Sequence, residues 1–138
     1  MASIFSKIVK GEIPCYKIAE NKNYLAFLDI FPLKKGHTLV IPKKEVDNIF
    51  DLDKETYLGL MEFSAEVAIA IKKVIPCNRI AISVIGLEVP HAHVHLIPIN
   101  NMNDCNFANE KLKLTKEELE EIAKKISRVF LKDSIIDS

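Results

Sequence analysis

In the stretch Pro90-His91-Ala92-His93-Val94-His95-Leu96-Ile97-Pro98, three histidines occupy alternate positions of one apolar run, and that spacing constrains the fold more than any other feature of the chain. Side chains two residues apart along a β-strand leave the same face. The run therefore predicts a strand on which His91, His93 and His95 form a solvent-facing row while Ala92, Val94 and Leu96 point into a core. Neutral imidazole nitrogens attack or accept, and protonated ones donate to an anion, all near neutral pH, so the row suits phosphate chemistry.

The rest of the chain supplies a frame for that strand. Phe5, Ile8 and Val9 stand at helical spacing before Lys10-Gly11, predicting a short amphipathic helix that lids the core or a ligand. Cys15 to Ala19 and Asn23 to Asp29 read as a hairpin around Glu20-Asn21-Lys22, and after a loop from Pro32 to Gly36 a third strand, His37 to Pro42, carries the fourth histidine at its start. Asp53 caps a helix through about Val74, with Tyr57, Leu60, Met61, Ala65, Ala68 and Ile71 as its apolar stripe. Arg79 to Ile85 is a strand neighbouring the histidine strand in a meander, and Asn100 to Asn109 is an asparagine-rich loop with little core potential. Thr115-Lys116-Glu117-Glu118 is a capping box opening a last helix, whose Leu119, Ile122, Ala123, Ile126, Val129 and Phe130 form one stripe; the tail after Lys132 frays. The order predicts an α+β domain with helices packed on a mostly antiparallel sheet.

Composition narrows the partners. The 138 residues, 49% of them hydrophobic, read as one domain over 1–138, and 19 basic against 19 acidic residues lack the footprint of a nucleic-acid binder. Cys15, Cys77 and Cys105 are odd in number without CxxC spacing, so neither a disulfide framework nor a cysteine zinc site is expected and the thiols read as reduced and cytosolic. No apolar run approaches membrane-spanning length, and Met1 to Gly11 does not read as a signal peptide.

Three histidines on one face are poorly explained as idle surface residues. Metal binding is a stronger rival, but His91 and His95 would lie about 13 Å apart along a strand at roughly 3.3 Å per residue, while zinc ligands each sit about 2 Å from the ion. A site of His93, His95 and His37 stays open. The alternative is covalent catalysis, in which an imidazole held by a backbone carbonyl attacks phosphorus while its neighbours bind oxygens and supply a proton.

His91-Ala92-His93-Val94-His95-Leu96-Ile97 resembles the signature of the histidine triad (HIT) family of nucleotide hydrolases and transferases. The resemblance extends to Ile4-Phe5-Ser6-Lys7-Ile8-Val9, Ala26-Phe27-Leu28-Asp29-Ile30 and Gly36-His37-Thr38-Leu39-Val40-Ile41-Pro42-Lys43-Lys44, and it is most similar to the short Hint-type branch. It implies a five-stranded sheet with two main helices, a homodimer joining two sheets, no cofactor, and cleavage of a phosphoramidate or phosphoanhydride to a purine nucleoside monophosphate. It implies His93 as nucleophile, His95 on the phosphate and leaving-group side, His91 as a positioning group, His37 as a support for all three, Asp29 on the ribose hydroxyls, and Phe5, Ile8, Phe27, Leu28 and Ile30 as walls for the base. Two departures carry expectations of their own. Ser3 and Ser6 stand where many members have zinc-binding cysteines, so no structural zinc is expected. The loop amide before the triad is missing, and Glu88 would repel a phosphate unless it turns away or pairs with a histidine, as an exposed loop charge does. Those departures keep open a nucleotide-binding protein with little catalysis, beside the metal-binding alternative.

Overall fold

The computed structural model describes residues 2–137, with side chains through Asp133. Ser3 caps the first helix, α1 (Ile4–Val9), by accepting from Ser6 N, and Gly11, at φ +79°, turns the chain away from it. The hairpin follows as β1 (Lys17–Glu20) and β2 (Tyr24–Leu28), paired antiparallel with a bulge between Lys17 and Ala19. β3 (Thr38–Pro42) begins one residue after His37. Asp53 caps α2 (Lys54–Val74) through Thr56 N, β4 (Arg79–Ser83) and β5 (Val94–Ile99) follow, and the Thr115–Glu118 capping box opens α3. α3 (Lys116–Asp137) continues where a frayed tail is expected from the sequence.

All strand pairs are antiparallel, in the order β1-β2-β3-β5-β4. Strand alternation divides β2: Tyr24, Ala26 and Leu28 join the larger core beneath α2 and α3, whereas Leu25 and Phe27 join a smaller cluster with Phe5, Leu39 and Ile41 on the α1 side. β2 and β3 are buried throughout because both faces are covered. The α2 core face is Leu60, Phe63, Val67, Ala70 and Ile71, whereas Ala65 of the expected stripe is exposed. Tyr57, Met61 and Ala68 of that stripe pack against the same core, so the expected face is rotated only enough to bring in Phe63, Val67 and Ala70.

The histidine strand is shorter than expected. The β3–β5 register runs from Thr38↔Leu96 to Val40↔Val94, which would next bring Pro42 opposite Ala92. Pro42 has no N–H to donate. Ala92 N instead donates to Val46 O at 2.7 Å, so His91 and His93 precede the strand and only His95 lies within it. β4 likewise ends at Ser83 rather than Ile85.

Candidate functional site

His91, His93 and His95 nevertheless reach one side of the sheet, and Ala92, Val94 and Leu96 enter the helix-side core. They are not solvent-facing. His91, His93 and His95 are 0%, 6% and 8% exposed and His37 is 1% exposed, so the nitrogens that do not face the site need partners.

Those partners define two proton chains. His93 Nδ1 lies 2.7 Å from the His91 carbonyl, which can only accept, so Nδ1 carries the proton and Nε2 keeps its lone pair. Leu33 N–H donates to His37 Nδ1 at 3.0 Å, which puts the His37 proton on Nε2; that nitrogen lies 3.0 Å from His95 Nδ1 and donates to it. A neutral His95 is consequently protonated on Nε2. The His93 and His95 rings meet edge to face with centroids 5.0 Å apart, so the ring that keeps a lone pair and the ring that keeps an N–H are direct neighbours. Phe5 closes the other flank, 5.0 Å from His93 and 5.9 Å from His91.

Burial favours the neutral forms of His37 and His95. Desolvation, helped by the neighbouring His95 and Lys111, lowers the His37 pKa to about 3; desolvation and His93 lower that of His95 to about 4. Burial also pushes Asp29 upward, opposed chiefly by the Phe31 N–H that bonds its Oδ1 at 2.9 Å. Asp29 Oδ2 lies 3.7 Å from His37 Nε2, beyond hydrogen-bond reach.

Asp29, His37 and His95 offer ligand atoms all within 4.8 Å of one another. Hydrogen bonding argues against a metal among them. An Nε2-ligating histidine normally donates from Nδ1, whereas Leu33 N–H points at His37 Nδ1 and places the proton on the would-be ligand. His93 belongs to the second chain, so the expected His93–His95–His37 alternative meets the same obstacle at His37.

The zinc that many members of the resembled family bind near the chain start, and that is not expected here, would lack a fitting donor set. Ser3 Oγ lies 2.9 Å from His91 Nδ1, while Ser6 Oγ–H donates to Glu45 Oε1 at 2.7 Å, which also accepts from Ser3 N at 2.6 Å. His91 Nε2 donates to Pro42 O at 2.8 Å, leaving Nδ1 as the acceptor for Ser3. Hydroxyls lack the thiolate charge and softness that favour zinc, and here they complete a hydrogen-bonded clasp between α1 and the triad. Glu45 is held ionised, well below the ordinary range, first by Ser3 N–H and then by Ser6.

The expected base-binding residues divide. Phe5, Ile8 and Phe27 gather in the α1-side cluster, and Ile30 is 52% exposed in the loop beside Asp29. Leu28 is a correction: its side chain lies in the helix-side core, because it alternates with Phe27, and shares no wall with it. Glu88 is exposed and makes itself felt through its charge on Asp29.

The sequence left several site neighbours unassigned. Phe107, from the supposedly coreless asparagine-rich loop, packs 4.9 Å from His95 and 6.2 Å from His37. That loop contains a 3-10 turn, Met102–Cys105, whose buried Asp104 accepts from Asn100 N and pairs with Lys34. Ser83 is the cross-strand partner of His95, so its hydroxyl shares the triad's face. A lone aromatic in a polar loop was the one available signal for Phe107; nothing local marked Glu45 or Ser83.

A HIT domain family model matches residues 10–102. The adenosine 5'-monophosphoramidase of Schizosaccharomyces pombe is 43% identical over 106 residues, covering 73% of this chain and 77% of its own. An uncharacterized HIT-like protein of Borreliella burgdorferi is 34% identical over 132 residues, covering 90% and 95%. Among solved structures, a Hit-like protein from Bartonella henselae described as involved in cell-cycle regulation aligns with TM-score 0.80 and 34% identity, covering 92% and 95%. A zinc-bound histidine triad family protein from Mycobacterium smegmatis aligns with TM-score 0.80 and 28% identity, covering 98% of both chains.

Proposed function

The chain belongs to the HIT domain family, and from that premise we propose that it is a nucleotidyl hydrolase that cleaves a nucleoside phosphoramidate, or the related phosphoanhydride, through a covalent intermediate on His93. His93 Nε2 attacks phosphorus and the bond to the leaving amine breaks, with His95 Nε2–H giving its proton to the departing nitrogen. Water then attacks the nucleotidyl-histidine: its oxygen bonds to phosphorus as the bond from phosphorus to His93 Nε2 breaks, and its proton goes to His95 Nε2, so the nucleoside monophosphate leaves with both imidazoles restored. The observation that carries this assignment is the 2.7 Å bond from His93 Nδ1–H to the His91 carbonyl, which aims a basic nitrogen into the site beside a donor.

The adenosine monophosphoramidase among the relatives supports a purine substrate and a P–N bond. Asp29 is assigned to the ribose hydroxyls as an acceptor, with Phe5, Ile8, Phe27 and Ile30 on the base side. No metal takes part. The working unit is a homodimer joined through β4, an edge strand whose Ile82 is 53% exposed and which leads into exposed Val84 and Ile85.

Adenosine phosphoramidate turnover, followed as AMP release by chelator-treated protein, tests the assignment. His93→Ala is expected to retain the fold and lose at least about a thousandfold in kcat/KM, the scale of removing a covalent nucleophile; substantial residual turnover would remove His93 from that role. The Glu88 charge beside Asp29 favours one second reading, a nucleotide-binding protein with little catalysis, which predicts AMP binding without turnover.

A further inference from the structure

Phe107, in the loop after β5, lies beyond the family-matched segment, which ends at residue 102, yet it packs against two of the site's histidines. The half-buried ring meets His95 edge on at 4.9 Å and 75°, and His37 at 6.2 Å and 80°. Its backbone is held from two directions. Lys111 Nζ donates to Phe107 O and Asn109 O, and Asn109 Nδ2 donates to Asn103 O. Leu112 N then donates to Pro32 O, beside the Leu33 N–H that sets the His37 tautomer. The same short stretch thus anchors both the aromatic cover and its neighbour in the relay.

We propose that Phe107, seated by Lys111, is a positioning residue that covers the His37–His95 hydrogen bond and keeps His95 Nε2–H turned to the reacting group. This rests on the assignment of His95 as proton donor. An apolar ring over the bond excludes competing water and disfavours a proton on either imidazole. A protonated His95 would present Nδ1–H to His37 Nε2–H, two donors face to face, and the relay would part. The charged and titratable groups around His95 are His37 before β3, His93 before β5, Asp29 after β2, and Lys111 in the loop; Glu88 acts on Asp29 from the segment before the triad. Burial already keeps His95 at about 4, in line with such a cover.

Imidazole NMR titration of the full chain reads the effect directly. In Phe107→Ala the His95 midpoint is expected to rise by about one pH unit as water enters, and Phe107→Leu is expected to recover most of the wild-type value. Toward an adenosine phosphoramidate, Phe107→Ala is expected to lower kcat about tenfold with KM changed less than about twofold. A folded Phe107→Ala protein whose His95 titrates as in wild type overturns the proposal. Absence of turnover in wild type would instead defeat the substrate assignment, while the titration would still decide the role of Phe107.

Discussion

His95 and His37 show how a single backbone donor sets chemistry. Leu33 N–H fixes one tautomer, the 3.0 Å ring-to-ring bond passes the constraint on, and burial holds both rings neutral. The alternate spacing announced the histidines, but no pattern announces which nitrogen faces a carbonyl or an amide contributed from elsewhere. Both folded-state values lie below the ordinary histidine value of 6.5, so the unfolded chain takes up protons first as pH falls. Stability from these groups is therefore full above about pH 6.5 and declines toward pH 4 and 3, by about 1.4 kcal/mol per unit for each histidine while only the unfolded state is protonated. Urea unfolding between pH 7 and 4.5 is expected to show that loss, with His37→Gln, an uncharged replacement, flattening the slope.

At the scale of elements, α2 owes its seat to a glycine. Tyr24 of β2 donates its hydroxyl to Thr56 O at 3.1 Å, and a Cβ on Gly59 would stand 2.0 Å from that oxygen and 2.7 Å from its ring carbon. Gly59→Ala is therefore expected to destabilise the fold by about 2 kcal/mol through overpacking, despite alanine's better helix propensity. Gly59→Ala combined with Tyr24→Leu should recover part of the loss in thermal unfolding. The caps at Asp53 and Thr115 were legible because they are written within four residues of sequence. The end of the histidine strand was not, since it depends on Pro42 meeting Ala92 across the sheet. Phe107 escaped for a similar reason: a loop's composition describes its solvation and not the imidazoles beneath it.

For the molecule as a whole, the two helix stripes and strand alternation meet in one continuous core from Ile18 through Ile126. We accordingly expect residues 1–138 to unfold as one cooperative unit, with coincident backbone and aromatic signals; two separated transitions would divide the chain. In the proposed dimer β4 pairs with its symmetry mate, so Ile82→Lys should halve the mass seen by light scattering while leaving the monomer folded. An unchanged mass would place the interface elsewhere. The α+β class, the element order, the histidine row and both helix caps were determined by the sequence alone, because they depend on periodicity and on neighbours a few residues away. Only the tertiary structure decided the tautomers of the four histidines, the Ser3–Ser6–Glu45–His91 clasp, the removal of Leu28 from the site and the arrival of Phe107. Each of these joins groups distant in sequence, and burial turns such meetings into strict hydrogen-bond and packing requirements that local pattern does not encode.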